Sequence, residues 1–283
     1  PLFHIPQGED DRPPFLVRGI LILTCTLVSF FHGSNDGQKG VGLFMLILIA
    51  FLPARFAINH SVPDAAVIKT LDQTEILLQT IASGNVAQGT MFVQVQQEIE
   101  QVKLHLMDKS VTDKAGTFKF RKEVEGLVKS IATLESNKQI DINPENRLEL
   151  KRKLGELKHL TDFAPIWVVL TISVALGLGT MIGWKRIVVT IGEKIGNEHL
   201  SYAQGASSEI VAASTIGIST VLGLPVSTTH VLSSGIAGSM VASGGKSNLN
   251  KGTLKSIGLA WVLTLPVSIG LALLLFVFFH LFI

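Results

Sequence analysis

The residues best suited to chemistry lie in two polar motifs, each set within apolar sequence. The first motif occupies residues 33–40 and reads Gly-Ser-Asn-Asp-Gly-Gln-Lys-Gly. Because a charge in a bilayer is costly and by default marks function, Asp36 and Lys39 are candidates for coupling to a cation or a proton. Asn35 and Gln38 supply neutral donors and acceptors beside them. The alternative is a surface turn between two spans, since Asn-Asp-Gly is a common turn sequence.

The second motif occupies residues 223–230 and reads Gly-Leu-Pro-Val-Ser-Thr-Thr-His. Its proline can open a helix, and the free N–H groups of a helix start bind anions with help from the helix dipole. The hydroxyls of Ser227, Thr228 and Thr229 add neutral donors, so the motif predicts a cradle for an oxyanion such as phosphate. The alternative is the N-cap of an ordinary span, for which one hydroxyl suffices. Three hydroxyls next to His230 exceed that need.

Three ionisable residues in apolar sequence are further candidates. Glu209 is a candidate for cation or proton coupling, although it could also lie near a helix end and reach water. His230 and His32 could carry protons, or each could be a polar partner within a packed site. The spacing of His, Asp and Glu gives no zinc signature, and the single cysteine, Cys25, is predicted to be a buried structural thiol. We therefore expect no catalytic residues, no bound metal and no cofactor.

The composition is that of a membrane protein with a hydrophilic insert. Of the 283 residues, 47% are hydrophobic and 16% are charged, whereas soluble domains carry about 25% charged residues. Residues 62–163 nevertheless hold 14 of the 24 Lys and Arg and 15 of the 22 Asp and Glu. The sequence has no basic stripe with interleaved aromatic residues, so nothing supports binding of nucleic acid.

The chain divides into three predicted parts. Residues 1–61 form a first pair of membrane segments, in which two short helices flank the Gly-rich break that carries the Asn-Asp motif. Residues 62–163 form a small hydrophilic, helical insert outside the membrane. Residues 164–283 form a second membrane domain, which contains the Pro-Val-Ser-Thr-Thr-His motif.

Helical periodicity places the elements within these parts. In the insert it predicts three helices, over residues 86–106, 118–134 and 143–160. In the last part, residues 164–184 are the clearest span and residues 254–283 form a long apolar helix. Residues 201–242 are unusually polar and indicate two half-helices that meet at a proline turn. Irregular backbone at membrane depth is tolerated only under a cover of protein or in a water-filled cavity, so we expect a substrate site near this turn.

The two motifs, in this order, resemble the C-terminal repeat of the Pit family of inorganic-phosphate transporters. The matching residues are His-Gly-Ser-Asn-Asp-Gly-Gln-Lys-Gly at 32–40 and Leu-Pro-Val-Ser-Thr-Thr-His at 224–230. Tyr-Ala-Gln-Gly at 202–205 and Gly-Trp-Lys-Arg at 183–186 are similar to the bacterial branch of the family. The resemblance covers nearly the whole chain, and the insert is its least specific part.

The resemblance implies an all-α integral membrane protein of the inner membrane, one half of an inverted-repeat transporter with broken or re-entrant helices. It implies symport of inorganic phosphate, with Ser227, Thr228 and Thr229 holding phosphate oxygens and with Asn35 and Asp36 coordinating the coupling cation and the substrate. Phosphate could also travel as a neutral complex with a divalent metal ion. Many relatives read Asn-Asp-Val-Ala-Asn where this chain reads Asn-Asp-Gly-Gln-Lys, which favours coupling to H⁺ over coupling to Na⁺.

Each motif occurs once in this chain, so we expect that an N-terminal repeat is missing and that the chain holds half a binding site in the lipid membrane. A homodimer could bring two half-sites together. The rival interpretation is a membrane-anchored binding or sensor module that uses residues 62–163, although these lack a recognisable ligand motif. A membrane enzyme is disfavoured because no set of nucleophile, base and acid is present. A phosphate-uptake assay separates these classes.

The positive charges leave the membrane topology open. Lys185 and Arg186 favour the cytoplasm after the 164–184 span, and Arg12 and Arg18 favour the cytoplasm before the first helix. The two agree only if the chain crosses the membrane an even number of times between them. The three predicted segments give an odd number, so either one segment is re-entrant or one flank breaks the rule.

Overall fold

The computed structural model describes residues 3, 5, 13–83, 89–107, 114–137 and 140–281, and their regular structure is helical. The α-helices in these ranges are α1 Phe15–Phe51, α2 Pro53–Phe56, α3 Asp64–Ser83, α4 Gly89–Met107, α5 Lys114–Ser136, α6 Pro144–Thr161, α7 Ile166–Glu193, α8 Tyr202–Val221, α9 Thr228–Gly244 and α10 Lys251–His280. This confirms the predicted all-α class. The chain forms two compact units, Pro1–Lys39 with Thr171–Ile283 and, separately, Gly40–Leu170.

The first motif lies inside a continuous helix, which differs from the predicted pair of short helices. α1 runs without interruption through residues 33–40 and ends at Phe51. Each glycine in a helix costs about 1 kcal/mol relative to alanine, whereas a backbone group without a partner in lipid costs more. Keeping the helical hydrogen bonds therefore outweighs the cost of the glycines, and the motif becomes a polar stripe on one helix. The prediction for Cys25 is also wrong, because this thiol is exposed on α1.

The predicted pair of half-helices is present as α8 and α9, which form an antiparallel hairpin. The chain leaves α8 through Gly223, whose φ of 69° lies in the left-handed region that favours glycine. Early α8 meets late α9 through two side-chain pairs, Gln204 with Ser243 and Ser208 with Ser239. Small side chains let the two backbones approach closely, and the non-helical residues 224–227 lie near the tip of the hairpin.

Three helices of the described residues are long and apolar enough to cross a membrane. These candidate spans are α1, the Ile166–Lys185 part of α7 and α10. The hairpin is anchored to the end of α7 by a buried apolar cluster, in which Ile191 of α7 and Ile195, two residues after α7, meet Ile236 and Met240 of α9. The cluster holds the open end of the hairpin, so the tip with the second motif lies away from it.

The hydrophilic insert folds as four helices, α3 to α6, and each contributes an apolar stripe to a common core. The three predicted helices correspond to α4, α5 and α6, whereas α3 was not predicted. Asn143 caps α6 by accepting a hydrogen bond from the N–H of Glu145 at 2.9 Å, with Pro144 in the first turn. The largest fully buried side chains of the bundle are Leu71, Leu78, Phe92, Ile99, Leu127, Ile131, Leu134, Leu150 and Leu157.

Candidate functional site

The candidate site is built on α1 and α8, which lie side by side and run in parallel. Three pairs of side chains join them: Thr24 with Glu209, Phe31 with Gly217, and Asn35 with Thr220. The two polar pairs are each separated by 185 residues in the sequence, so the helices advance together. α1 therefore accompanies α8 up to the turn that leads into α9.

An ionic cluster on α1 reaches this turn. One carboxylate oxygen of Asp36 lies 2.9 Å from His32 Nε2, and the other lies 3.0 Å from Lys39 Nζ. Spacings of four and three residues place the three side chains on one face of the helix. Lys39 also donates a hydrogen bond to the carbonyl of Val226, the residue before Ser227. His32, Asp36 and Lys39, here called the Asp36 cluster, thus join the first motif to the second.

Asn35 is held beside the Asp36 cluster with one oxygen unused. Its side chain is buried and donates from Nδ2 to Thr220 Oγ1 at 3.1 Å. The Thr220 hydroxyl donates its own hydrogen bond to the carbonyl of Ile216 at 2.8 Å. Asn35 Oδ1 has no hydrogen-bond partner among the described residues. A buried acceptor without a partner is costly, so this oxygen is available to a donor or a cation.

The second motif begins α9 with its hydroxyls at the helix start. Ser227 is the N-cap, and its Oγ accepts a hydrogen bond from the N–H of His230 at 3.4 Å. Thr228 is buried, whereas Ser227 and Thr229 are exposed. The first N–H groups of a helix have no partner within it. Two exposed hydroxyls and the positive end of the helix dipole therefore lie directly after the carbonyl that Lys39 binds.

Three predicted site residues lie apart from the Asp36 cluster. The ring of His230 stacks on Trp261 of α10, with 4.0 Å between the ring centroids and 34° between the planes. Gln38 is exposed on α1. Glu209 is half-buried and lies about three turns before Thr220 on α8. The structure thus joins Lys39, which is paired with Asp36, to Val226, the residue before the Ser-Thr-Thr segment, and Asn35 to Thr220 on α8. His230, Gln38 and Glu209 lie outside these contacts.

Several partners in this region were missed from the sequence, namely Thr24, Thr220, Trp261 and the Val226 carbonyl. A backbone carbonyl has no signature in the sequence, and an isolated threonine in an apolar run indicates nothing by itself. One usable signal exists in retrospect. Thr24 and Asn35 have the same spacing on α1 as Glu209 and Thr220 have on α8, about three helical turns in each case.

Comparison with known proteins identifies related chains over most of this sequence. A family model described as the phosphate transporter family matches residues 4–272. The low-affinity inorganic phosphate transporter PitB of Escherichia coli (strain K12) is 34% identical over an alignment of 301 positions, which covers 96% of this chain and 60% of that protein. A low-affinity inorganic phosphate transporter of Buchnera aphidicola subsp. Acyrthosiphon pisum is 39% identical over 96% of this chain and 58% of that protein. No solved structure gives a significant match.

The chain therefore spans about three fifths of the length of these curated relatives. A probable low-affinity inorganic phosphate transporter of Bacillus subtilis (strain 168) is 42% identical, but only over 37% of this chain and 30% of that protein. The matches with 96% coverage extend through the hydrophilic insert, which is the part of the chain where the family motifs are least specific.

Proposed function

The chain belongs to the PHO4 phosphate transporter family, and we propose that it contributes one half of a secondary active symporter for inorganic phosphate. The family and the three candidate spans identify a multi-pass membrane protein, and its bacterial relatives are consistent with the inner membrane. The substrate is proposed from the names of those relatives. The observation that carries the proposal is the hydrogen bond from Lys39 to Val226, because it sets a cation against the start of α9.

Phosphate would bind at the start of α9, where the hydroxyls of Ser227, Thr228 and Thr229 and the helix N–H groups act as donors. A bare carboxylate nearby would repel this anion. Asp36 is paired with Lys39 at 3.0 Å, so the pair presents little net charge to the substrate. Asn35, with its unused Oδ1, would serve as an acceptor for a protonated phosphate oxygen or for the coupling ion.

The position of Lys39 beside Asp36 supports the proposal of proton coupling. A lysine that neutralises Asp36 takes the place of a mobile cation, but it cannot move across the membrane with the substrate. Coupling must then come from another group that gains and loses a proton, and Glu209 and His230 are the candidates. Gln38, the neutral residue before Lys39, is a further candidate for contact with the coupling ion. Sodium coupling is the alternative, and a neutral complex of phosphate with a divalent metal ion is a variant of the substrate.

The other half of the site would come from a second, related repeat. The chain carries one copy of each motif and covers 60% of the length of PitB of Escherichia coli. Transport folds of this kind build their sites between two repeats, near the middle of the bilayer. A homodimer of this chain is the other arrangement that would supply two sets of motifs.

Uptake of labelled phosphate into proteoliposomes tests the proposal. The longer protein that contains this chain is expected to accumulate phosphate when a proton gradient is imposed, without sodium, and to stop when the gradient is dissipated. Absence of uptake under every gradient would contradict phosphate symport. Uptake that needs sodium would contradict only proton coupling, and a requirement for a divalent metal ion would identify the metal complex as substrate.

A further inference from the structure

The two connections between the four-helix bundle and the apolar helices lie side by side. The chain enters the bundle after α2 and leaves it at the end of α6. The N–H of Asn59 donates to the carbonyl of Leu160 at 2.8 Å. The side chain of Asn59 also donates to the carbonyl of His159 at 3.3 Å. Entry and exit are therefore joined by hydrogen bonds, one of them between backbone groups.

Arg121 of α5 binds both connections at once. Its Nη1 donates to the carbonyl of Ala57 at 2.9 Å and to the carbonyl of Thr161 at 2.8 Å. Its Nε lies 2.7 Å from a carboxylate oxygen of Glu125. The Arg121 side chain is only 15% exposed, so these contacts are largely withdrawn from water. Here the two connections, with Arg121 and Asn59, are called the clasp.

The choice of arginine has a physical reason. Ala57 is the C-cap of α2 and Thr161 is the last residue of α6, and carbonyls at helix ends lack partners within the helix. A guanidinium can donate in several directions from one plane, whereas the ammonium of lysine is a compact point charge. The positive charge also favours the negative end of the α6 dipole. Arg121 thus satisfies two separate chain ends with one side chain.

An aromatic contact places the clasp next to the apolar helices. Trp167, in the first turn of α7, packs edge-on against Phe44 near the end of α1, with 6.1 Å between the ring centroids. It packs in the same way against Phe56 of α2, at 6.3 Å. The end of α1 and the start of α7 are therefore neighbours on one side of the clasp.

We propose that Arg121 is a positioning residue, which fastens the end of α1 to the start of α7 so that the two helices move as one body. α1 is one continuous helix from the Asp36 cluster to Phe51. The insert is then a brace for the transport helices. The structural part of this inference is independent of the substrate, and only its consequence for uptake rests on the proposed function.

The first experiment measures the fastening without any transport. Spin labels at Phe51→Cys and Ile166→Cys, in a Cys25→Ser background, report the distance between the two helix ends, and both positions are exposed. Arg121→Met is expected to broaden the distance distribution, and Arg121→Lys to broaden it less. Arg152→Met is the matched control, because Arg152 belongs to the same bundle and its side chain is 62% exposed. A distribution in both Arg121 variants as narrow as in the control would overturn the proposal.

The second experiment measures uptake by the longer protein that contains this chain. Arg121→Met is expected to lower the maximal rate about 10-fold, which corresponds to the free energy of one charge-assisted hydrogen bond. The phosphate concentration for half-maximal uptake is expected to stay unchanged. Should this variant not fold, Arg121→Lys is the one compared with Arg152→Met. A broadened distance with an unchanged maximal rate would overturn the positioning role. Failure of the wild type to take up phosphate would count against the proposed function. The distance measurement would still show whether Arg121 fastens the end of α1 to the start of α7.

Discussion

At the scale of single residues, Lys39 connects the two motifs and its removal is the sharpest test of the site. Lys39→Ala leaves Asp36 with only His32 and leaves the Val226 carbonyl without this donor. Because a hydrogen bond to a charged group contributes roughly 1.5–3 kcal/mol, we expect phosphate affinity to fall about 10-fold or more. The half-saturating phosphate concentration of uptake measures the effect.

Lys246→Ala is the control for Lys39→Ala, since Lys246 is an exposed lysine of the short 3-10 helix after α9. Its uptake should match the wild type. If Lys39 replaces a mobile cation, added sodium should partly restore affinity to Lys39→Ala and have no effect on the control. Wild-type affinity in Lys39→Ala would instead make Lys39 a membrane anchor that reaches the headgroups.

Glu209 gives a second test at the scale of single residues, because the hydrogen bonds around Thr24 depend on whether Glu209 is protonated. The Thr24 hydroxyl has one proton and two acceptors in reach, the Leu21 carbonyl at 3.1 Å and the Glu209 carboxyl. Both contacts are satisfied together only when Glu209 itself carries a proton and donates it. Glu209→Gln can also donate, so it should fold normally and bind phosphate, yet lose the dependence of uptake on the proton gradient. Retained proton-driven accumulation in Glu209→Gln would remove Glu209 from the coupling step.

Much of this polar chemistry could be predicted from the sequence, but its geometry could not. The spacing of Asp36 and Lys39 suits an ion pair as soon as the segment is helical, and a hydroxyl-rich helix start suits an anion. The link from Lys39 to Val226 could not be predicted, because it depends on α1 and α8 running in parallel. His230 has a conspicuous place in its motif, yet its ring partner, Trp261, lies on a different helix.

At the scale of elements, the continuity of α1 makes opposite predictions for two glycines. A Cβ at Gly37 would meet nothing within 4 Å, so Gly37→Ala should stabilise this chain by up to about 1 kcal/mol through helix propensity. A Cβ at Gly217 would lie 3.0 Å from the Phe31 ring, so Gly217→Ala should destabilise it by about 1–3 kcal/mol through overpacking. Thermal unfolding in detergent measures both. A destabilised Gly37→Ala would favour the turn that the sequence suggested.

The bundle offers a pH test in Lys103 of α4, which lies 2.7 Å from both Asp72 and Glu75 of α3. Burial lowers the pKa of Lys103, but the two carboxylates together raise it above its usual value of 10.5. The unfolded chain therefore loses this proton first as the pH rises. The stabilisation is fully present below the unfolded pKa and is lost as the pH passes the folded pKa. Thermal unfolding of wild type and Lys103→Met should thus differ at neutral pH and converge in strong alkali, and a constant difference would contradict the ion pairs.

Elements were predicted correctly where all the sequence signals agreed, and they were predicted wrongly or missed where two signals favoured different structures. The break between α8 and α9 was predicted because proline and glycine both act against a helix there. The predicted break in α1 was wrong. Helical hydrogen bonds in lipid stabilise the backbone by more than the four glycines near the motif destabilise the helix. α3 was missed although Val67, Leu71, Leu78 and Ile81 are buried at helical spacing, since the buried position between them is Thr74, which bonds the carbonyl of Thr70.

At the scale of the whole chain, a single α1 predicts an even count of membrane crossings between the two groups of positive charges, which the sequence left open. We expect the two candidate spans between Arg18 and Lys194, α1 and the Ile166–Lys185 part of α7, to cross once each, which places Arg18 and Lys194 on the same side. On this count the hairpin of α8 and α9 would return to its own side, and α10 would cross once. Both positively charged ends can therefore face the cytoplasm, in agreement with the positive-inside rule.

Cysteine labelling tests this count in the Cys25→Ser background. A reagent that cannot cross the membrane should label Pro13→Cys and Lys194→Cys from the same side, in vesicles of one orientation. His280→Cys, at the end of α10, should be labelled only from the opposite side. Labelling of Pro13→Cys and Lys194→Cys from opposite sides would mean that α1 or α7 does not cross once.

The hairpin of α8 and α9 also has a consequence for biogenesis. Neither helix is among the candidate spans, and α8 carries Glu209, so the insertion machinery gains little by releasing either helix into lipid alone. The partners that satisfy their polar groups are each other and α1, whose Thr24 and Asn35 are synthesised 185 residues before the α8 residues that they contact. We therefore expect the hairpin to assemble late and as one piece, onto an α1 that is already inserted.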